Sequence, residues 1–210
     1  MTNRKFKLAA MSLATAVAVS TVGPSASAVT YQLENGDVTV AENEKGAFSY
    51  QNTANGKTDD VYVDQDTKDN GQIIITQAEG TKTDNTVTVE ENVTNEKGKR
   101  DVDIILDGVN VDTTSTPTEV SADAKEDKKT IIKVGEGADV DLTVKDSKLT
   151  TGGHGIDIGV NLEGEDDNKG ANVDLTLDNT QINLTQNGKA GVNIQDNSDV
   201  DLTLKDKNTI

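Results

Sequence analysis

The stretch GGHGIDIGV at 152–160 holds the only histidine of the chain and the residues closest to a cation motif. A calcium nonapeptide needs G-G-x-G-x-D-x-U-x, with U a large apolar residue, repeated in tandem so that neighbouring turns share each ion. Gly152, Gly153, Gly155 and Asp157 match, but Gly159 stands at the U position. The equivalent residues before GVNI read QNGKAG, without the glycine pair. One degenerate copy reads as a glycine turn feeding a strand at 156–158, with Asp157 kept as a calcium candidate. General-base work by His154 would need a carboxylate or nucleophile beside it in a sheltered pocket. No G-x-S-x-G or comparable motif accompanies it, so His154 reads as a solvent-facing turn residue.

A second set of carboxylates emerges from internal repetition. DVDIILDGVNVD at 101, DVDLTVKDSKLT at 139, NVDLTLDNTQINLT at 172 and DVDLTLKDKNTI at 199 align without gaps over their first six residues. Period-2 alternation puts Val140, Leu142 and Val144 on one face of a strand and Asp141 and Thr143 on the other. Stacked copies then bring Asp141, Asp174 and Asp201 into one row, with Asp103 beside them. At the ~4.8 Å spacing of neighbouring strands, adjacent carboxylates repel by roughly 1 kcal/mol in water and ~3–4 at an effective dielectric near 20. Calcium along the row, nearby lysines such as Lys145 and Lys205, or upward-shifted pKa values would relieve this. A solvated acidic face that discourages aggregation is the other reading. The loops DDVYVDQDTKDNG (Asp59, Asp60, Asp64, Asp66, Asp69) and EGEDDNKG (Glu163, Glu165, Asp166, Asp167, Asn168) offer further oxygens. Neither has EF-hand spacing.

Each repeat also carries a strand upstream (TVTV, IIKV, GIDI, GVNI) and a shorter one downstream (VNV, KLTT, QINLT). Three short strands per unit, joined by Gly, Asn and Asp turns, predict an all-β fold: a right-handed parallel β-helix with three strands per coil over residues 71–210. One coil cannot stand alone. About six inward aliphatics contribute roughly 1.5–3 kcal/mol each, less than the roughly 1–2 kcal/mol per residue needed to order some thirty residues. Residues 29–70 hold Tyr31, Phe48, Tyr50 and Tyr62 and are expected to form a β-rich N-terminal cap. The chain stops at KDKNTI without a polar cap, which predicts truncation there, with further coils or a stacking partner at that end.

Arg4, Lys5 and Lys7, the apolar run Leu8–Val22 and Ala26-Ser27-Ala28 have the order of a secretory signal peptide over 1–28. Its removal would leave 182 residues (210 − 28) with 17 basic and 37 acidic side chains, a charge of −20. Such a surface repels nucleic acid and anionic polymers. The absence of cysteine excludes a disulfide framework.

TDNTVTVEENV, VDIILDGVNVDTT, KTIIKVGEGADVDLTVKDSKLTTGGHGIDI and VDLTLKDKNTI resemble the repeats of secreted bacterial β-helix proteins. These are adhesin-like or carbohydrate-binding-domain-containing proteins with a pectate-lyase-like fold. The resemblance implies a secreted or surface-attached module for adhesion or carbohydrate binding, with a polysaccharide or host-surface glycan as partner. No cofactor is required, and calcium is the one candidate. In the alternative, the chain is the N-terminal part of a polysaccharide lyase or glycoside hydrolase whose active site lies elsewhere. Lyase chemistry with an arginine base has only Arg100 to draw on after the signal segment, and nothing singles out a carboxylate pair for hydrolysis.

Overall fold

The structure is a computed structural model and describes residues 28–43, 46–53, 56–57, 61–62, 72–94, 102–115, 129–162, 164 and 169–210. The signal segment up to residue 27, Arg100 and both acidic loops apart from Gly164, Lys169 and Gly170, Val61 and Tyr62 lie outside them. The N-terminal strands are β1 (Val29–Gln32), β2 (Asp37–Asn43), β3 (Gly46–Thr53), β4 (Gly56–Lys57) and β5 (Val61–Tyr62). There follow β6 (Ile73–Thr76), β7 (Val87–Val89), β8 (Val102–Asp107), β9 (Asn110–Asp112), β10 (Ile132–Gly135) and β11 (Asp139–Lys145). The last six are β12 (Lys148–Thr151), β13 (Ile156–Val160), β14 (Asn172–Asp178), β15 (Gln181–Leu184), β16 (Val192–Ile194) and β17 (Asp199–Lys205). A short 3-10 turn at Leu33–Asn35 is the only helical element among the described residues, where no helix is long and apolar enough to cross a membrane.

Three sheets form. The first runs β1-β6-β8-β11-β14-β17, the second β16-β13-β10-β7-β2-β3-β4 with β5 on β3, and the third β15-β12-β9. The expectation of a right-handed parallel β-helix with three short strands per coil and an N-terminal β-rich cap is corrected by this topology. The sheets are unequal, of six, eight and three strands. The second is mixed, because β3 turns back antiparallel on β2 and carries β4 and β5 antiparallel in turn. The third has a strand in only three passes of the chain; an earlier pass adds a single bridge, Thr83 to Val111. The N-terminal strands join the first two sheets directly: β1 pairs parallel with β6 and β2 with β7. The physical reason is local. Gly80, Asp84 and Asn85 interrupt residues 77–86 with turn formers, whereas AENEKGAF places its charges and glycine where a hairpin reverses.

Register fixes what faces inward. Val102, Val140, Val173 and Val200 pair in one row; Ile104, Leu142, Leu175 and Leu202 form the next, and Leu106, Val144, Leu177 and Leu204 a third. In the second sheet Val38, Val87, Ile132, Ile156 and Val192 align in the same way. Together with Val111, Leu149 and Ile182 of the third sheet, these side chains make one apolar core.

Two series of left-handed residues turn the chain between sheets. Gly108, Asp146, Asn179 and Asp206 follow the first-sheet strands, and Asn92, Gly137, Gly170 and Asn197 precede them, all with φ between 49° and 68°. Only Gly, Asn and Asp adopt this conformation at low cost, which explains their recurrence in the repeats. Buried hydroxyls close the first series: Ser147 Oγ donates to Lys145 O and accepts from Val109 N, and Thr180 Oγ1 donates to Val144 O.

A partly exposed ion pair links the segment before β7 to β9. Lys82 Nζ lies 2.6 Å from Asp112 Oδ2. The Lys82 hydrogen bond, followed by those from the Thr114 hydroxyl and amide, lowers the Asp112 pKa from 3.8 to about 2. A lowered carboxylate pKa stabilises the fold above its unfolded value, and that contribution disappears as pH falls from about 4 to about 2. Asp112→Asn should therefore cost no more than about 2 kcal/mol at pH 7 and almost nothing at pH 2, read as converging urea midpoints of the two proteins.

Candidate functional site

Because the strands alternate, whatever is not in the core is displayed outward in equally regular rows. On the outer face of the first sheet, Asp103, Asp141, Asp174 and Asp201 pair successively, as do Ile105, Thr143, Thr176 and Thr203. Both rows line a groove of about 450 Å³, with Gln72 at the β6 end. The sequence reading placed Asp141, Asp174 and Asp201 in one row, and the register does bring them together.

The charges around that row are segregated. Two residues beyond the threonines lies a row that alternates in sign: Asp107, Lys145, Asp178, Lys205. Lys145 Nζ sits 2.9 Å from Asp107 Oδ2. That hydrogen bond raises the Lys145 pKa, aided by the charges of Asp107, Asp146 and Asp178 and opposed by desolvation. Lys145 is thus paired with Asp107, four residues along the strand from Asp141. The alternating row is legible in the repeats, two residues beyond the V-D-L-T core of each. On the other flank Asn172 Nδ2 donates to Asp139 Oδ1 at 2.8 Å. The groove is therefore acidic and hydroxyl-rich, bordered on one side by balanced charge.

The remaining candidates are engaged in holding the fold. His154 is half-buried, and its Nδ1 accepts from Ala190 N at 3.0 Å, so the imidazole fastens one glycine turn to the next pass. Asp157 is buried, and its Oδ1 accepts from Asn193 Nδ2 at 2.8 Å and from Gln195 Nε2 at 3.1 Å. Tyr31 and Tyr50 are buried; the Tyr31 hydroxyl lies 3.0 Å from Ser49 Oγ, and Phe48 stacks on Tyr50 at 6.0 Å. No tyrosine among these three aromatic residues forms an open platform for a sugar ring. No group of three His, Cys, Asp or Glu side chains among the described residues is arranged to hold a metal ion. The Asp row presents one carboxylate per strand along a line, whereas calcium takes six to eight oxygens around one point.

A second depression of about 530 Å³ lies beside the Lys82–Asp112 pair and includes Glu34, Asp84 and Asn85. Its polar groups are largely turned to the backbone: Glu34 Oε1 accepts from Ala78 N, and Asn85 Nδ2 donates to Leu33 O. Compared with known proteins, the chain matches no family model, no curated protein and no solved structure.

Proposed function

We propose that the chain is an exported, non-catalytic surface module for adhesion or carbohydrate binding, and that the outer face of the first sheet is the part that binds. The observation behind this reading is the groove in which four carboxylates and three threonine hydroxyls recur once per strand, at ~4.8 Å intervals. A linear polymer with a hydroxyl-bearing ring at every step offers donors to such a row of acceptors. Hydrogen bonds from hydroxyls to carboxylates contribute roughly 1.5–3 kcal/mol each, and repetition along one polymer adds to them. The net charge of −17 favours neutral or amino-bearing sugars over polyuronates.

Titration of the protein with neutral, amino-sugar and uronate polymers tests the reading. Binding is expected for the first two classes, weakened about tenfold by Asp174→Asn combined with Thr176→Ala, which corresponds to the loss of about 1.4 kcal/mol. Absence of binding to every class, or binding indifferent to that variant, would sink the proposal. Release of new chain ends in the same mixtures would favour the lyase or hydrolase alternative. Melting with calcium and with chelator addresses the Asp row directly: equal midpoints exclude calcium as its counter-ion.

A further inference from the structure

We propose that the polymer taken by the outer face of the first sheet is an amino sugar with free amines, its ammonium groups lying on the aspartate row and its hydroxyls on the threonine row. This rests on the reading of that face as the binding surface and adds the feature of the polymer that decides affinity. A comparison of the outward rows carries it. Among the paired strands of the described residues, carboxylate stands opposite carboxylate at three places: Asp103–Asp141, Asp141–Asp174 and Asp174–Asp201. All belong to this row.

Elsewhere the fold separates its acids. Asn172 stands between Asp139 and Asp199 and donates to Asp139. Lys145 and Lys205 alternate with Asp107 and Asp178. On the second sheet Asp157 lies between Lys133 and Asn193, and Asn193 Nδ2 donates to it. Like charges directly opposite each other destabilise a strand pair, so the unbroken row carries a strain that its neighbours avoid. The backbone does not demand it, since β14 itself holds Asn172 two residues before Asp174.

Neutral hydroxyls can donate to the row but leave its repulsion in place. Ammonium groups donate and also cancel it. The threonines then select what carries the ammonium. Thr143 and Thr176 lie two residues along the strand from Asp141 and Asp174, on the same face and roughly 6.5–7 Å away. One amino-sugar ring presents an amine to the first row and hydroxyls to the second, whereas a lysine side chain presents the ammonium alone. Acetylation of the sugar nitrogen removes the charge and keeps the ring, which isolates the effect.

Calorimetric titration of the whole chain with N-acetylglucosamine oligomers, and with the same oligomers stripped of their acetyl groups, tests this in mildly acidic buffer that keeps the amines charged. The free-amine form is expected to bind at least tenfold more tightly at low salt and to lose most of that advantage at about 0.5 M salt. Asp174→Asn should cut the advantage at least threefold and, without ligand, raise the urea midpoint. Asp178→Asn removes the same charge from between two lysines; it should leave the advantage within about twofold and lower the midpoint. Thr176→Ala should weaken the free-amine oligomers about threefold and leave binding of an equally charged lysine oligomer unchanged. Equal affinity of the two sugar forms, equal effects of Asp174→Asn and Asp178→Asn on the advantage, or a lysine oligomer that binds as tightly as the amino sugar would overturn the inference and leave the reading of the face standing. Binding of neither form also overturns it, and if neutral glucans are silent too, that reading falls with it.

Discussion

Replacing Leu142 with alanine should lower stability by about 2–5 kcal/mol, seen as a shifted urea midpoint, whereas Leu204→Ala should cost less than about 1 kcal/mol. The two leucines occupy inward positions of equivalent strands, so their chemistry and local backbone are the same. Their surroundings differ. Leu142 is fully buried between Ile104 and Leu175 of the flanking strands, and its removal leaves a cavity that three sheets hold open. Leu204 is 57% exposed and leaves little behind. Similar losses at the two sites would mean that the end of the first sheet is covered in solution.

Gly170→Ala should be damaging for a different reason, with an expected cost of about 3–5 kcal/mol. Gly170 has φ +67°, and a Cβ there would lie 2.1 Å from the backbone oxygen of Asn197 and 2.3 Å from its carbonyl carbon. Neither atom can swing aside, because Asn197 is itself in a left-handed turn and Ser198 N is hydrogen-bonded to Gln195 O. The turn would have to open, pulling β14 from β17. Gly108, with φ +68°, supplies the comparison, since nothing lies within 4 Å of its missing Cβ. Gly108→Ala should cost only the conformational penalty of about 1–2 kcal/mol, and Gly108→Asn less, because Asn179 holds the same conformation two strands away. Thermal melts of the three variants give the order directly.

The parts of this arrangement that could be read from the amino acids are those in which side-chain pattern and backbone pairing coincide. Val140, Val173 and Val200 align because a one-residue slip would exchange valine and leucine for aspartate and threonine on the core side, so the alternation admits one register. The same logic put Asp141, Asp174 and Asp201 together. It does not count strands per sheet. TKTDNT at 81–86 and KLTT at 148–151 look similarly suited to a short strand, yet only the second becomes one, and the difference lies in whether neighbours on both sides supply hydrogen bonds. The N-terminal strands are legible only in part, for another reason. DVTVAEN at 37–43 does match TVTVEEN at 86–92 at five of seven positions, in the register in which β2 pairs with β7, but VTYQ has no comparable copy and nothing in the pattern shows that β3 runs antiparallel. The role of His154 also depended on distance in space: its acceptor nitrogen meets Ala190, 36 residues on.

The offset between β11 and β14 is 33 residues throughout, from Asp139 opposite Asn172 to Lys145 opposite Asp178. A tandem duplication of residues 139–171 would consequently insert one more strand into each sheet while every existing neighbour kept a partner of the same kind. The groove would lengthen by a single aspartate and a single threonine. Unequal crossing-over in a gene of this form can thus adjust the reach of the face in whole steps, leaving its chemistry unchanged.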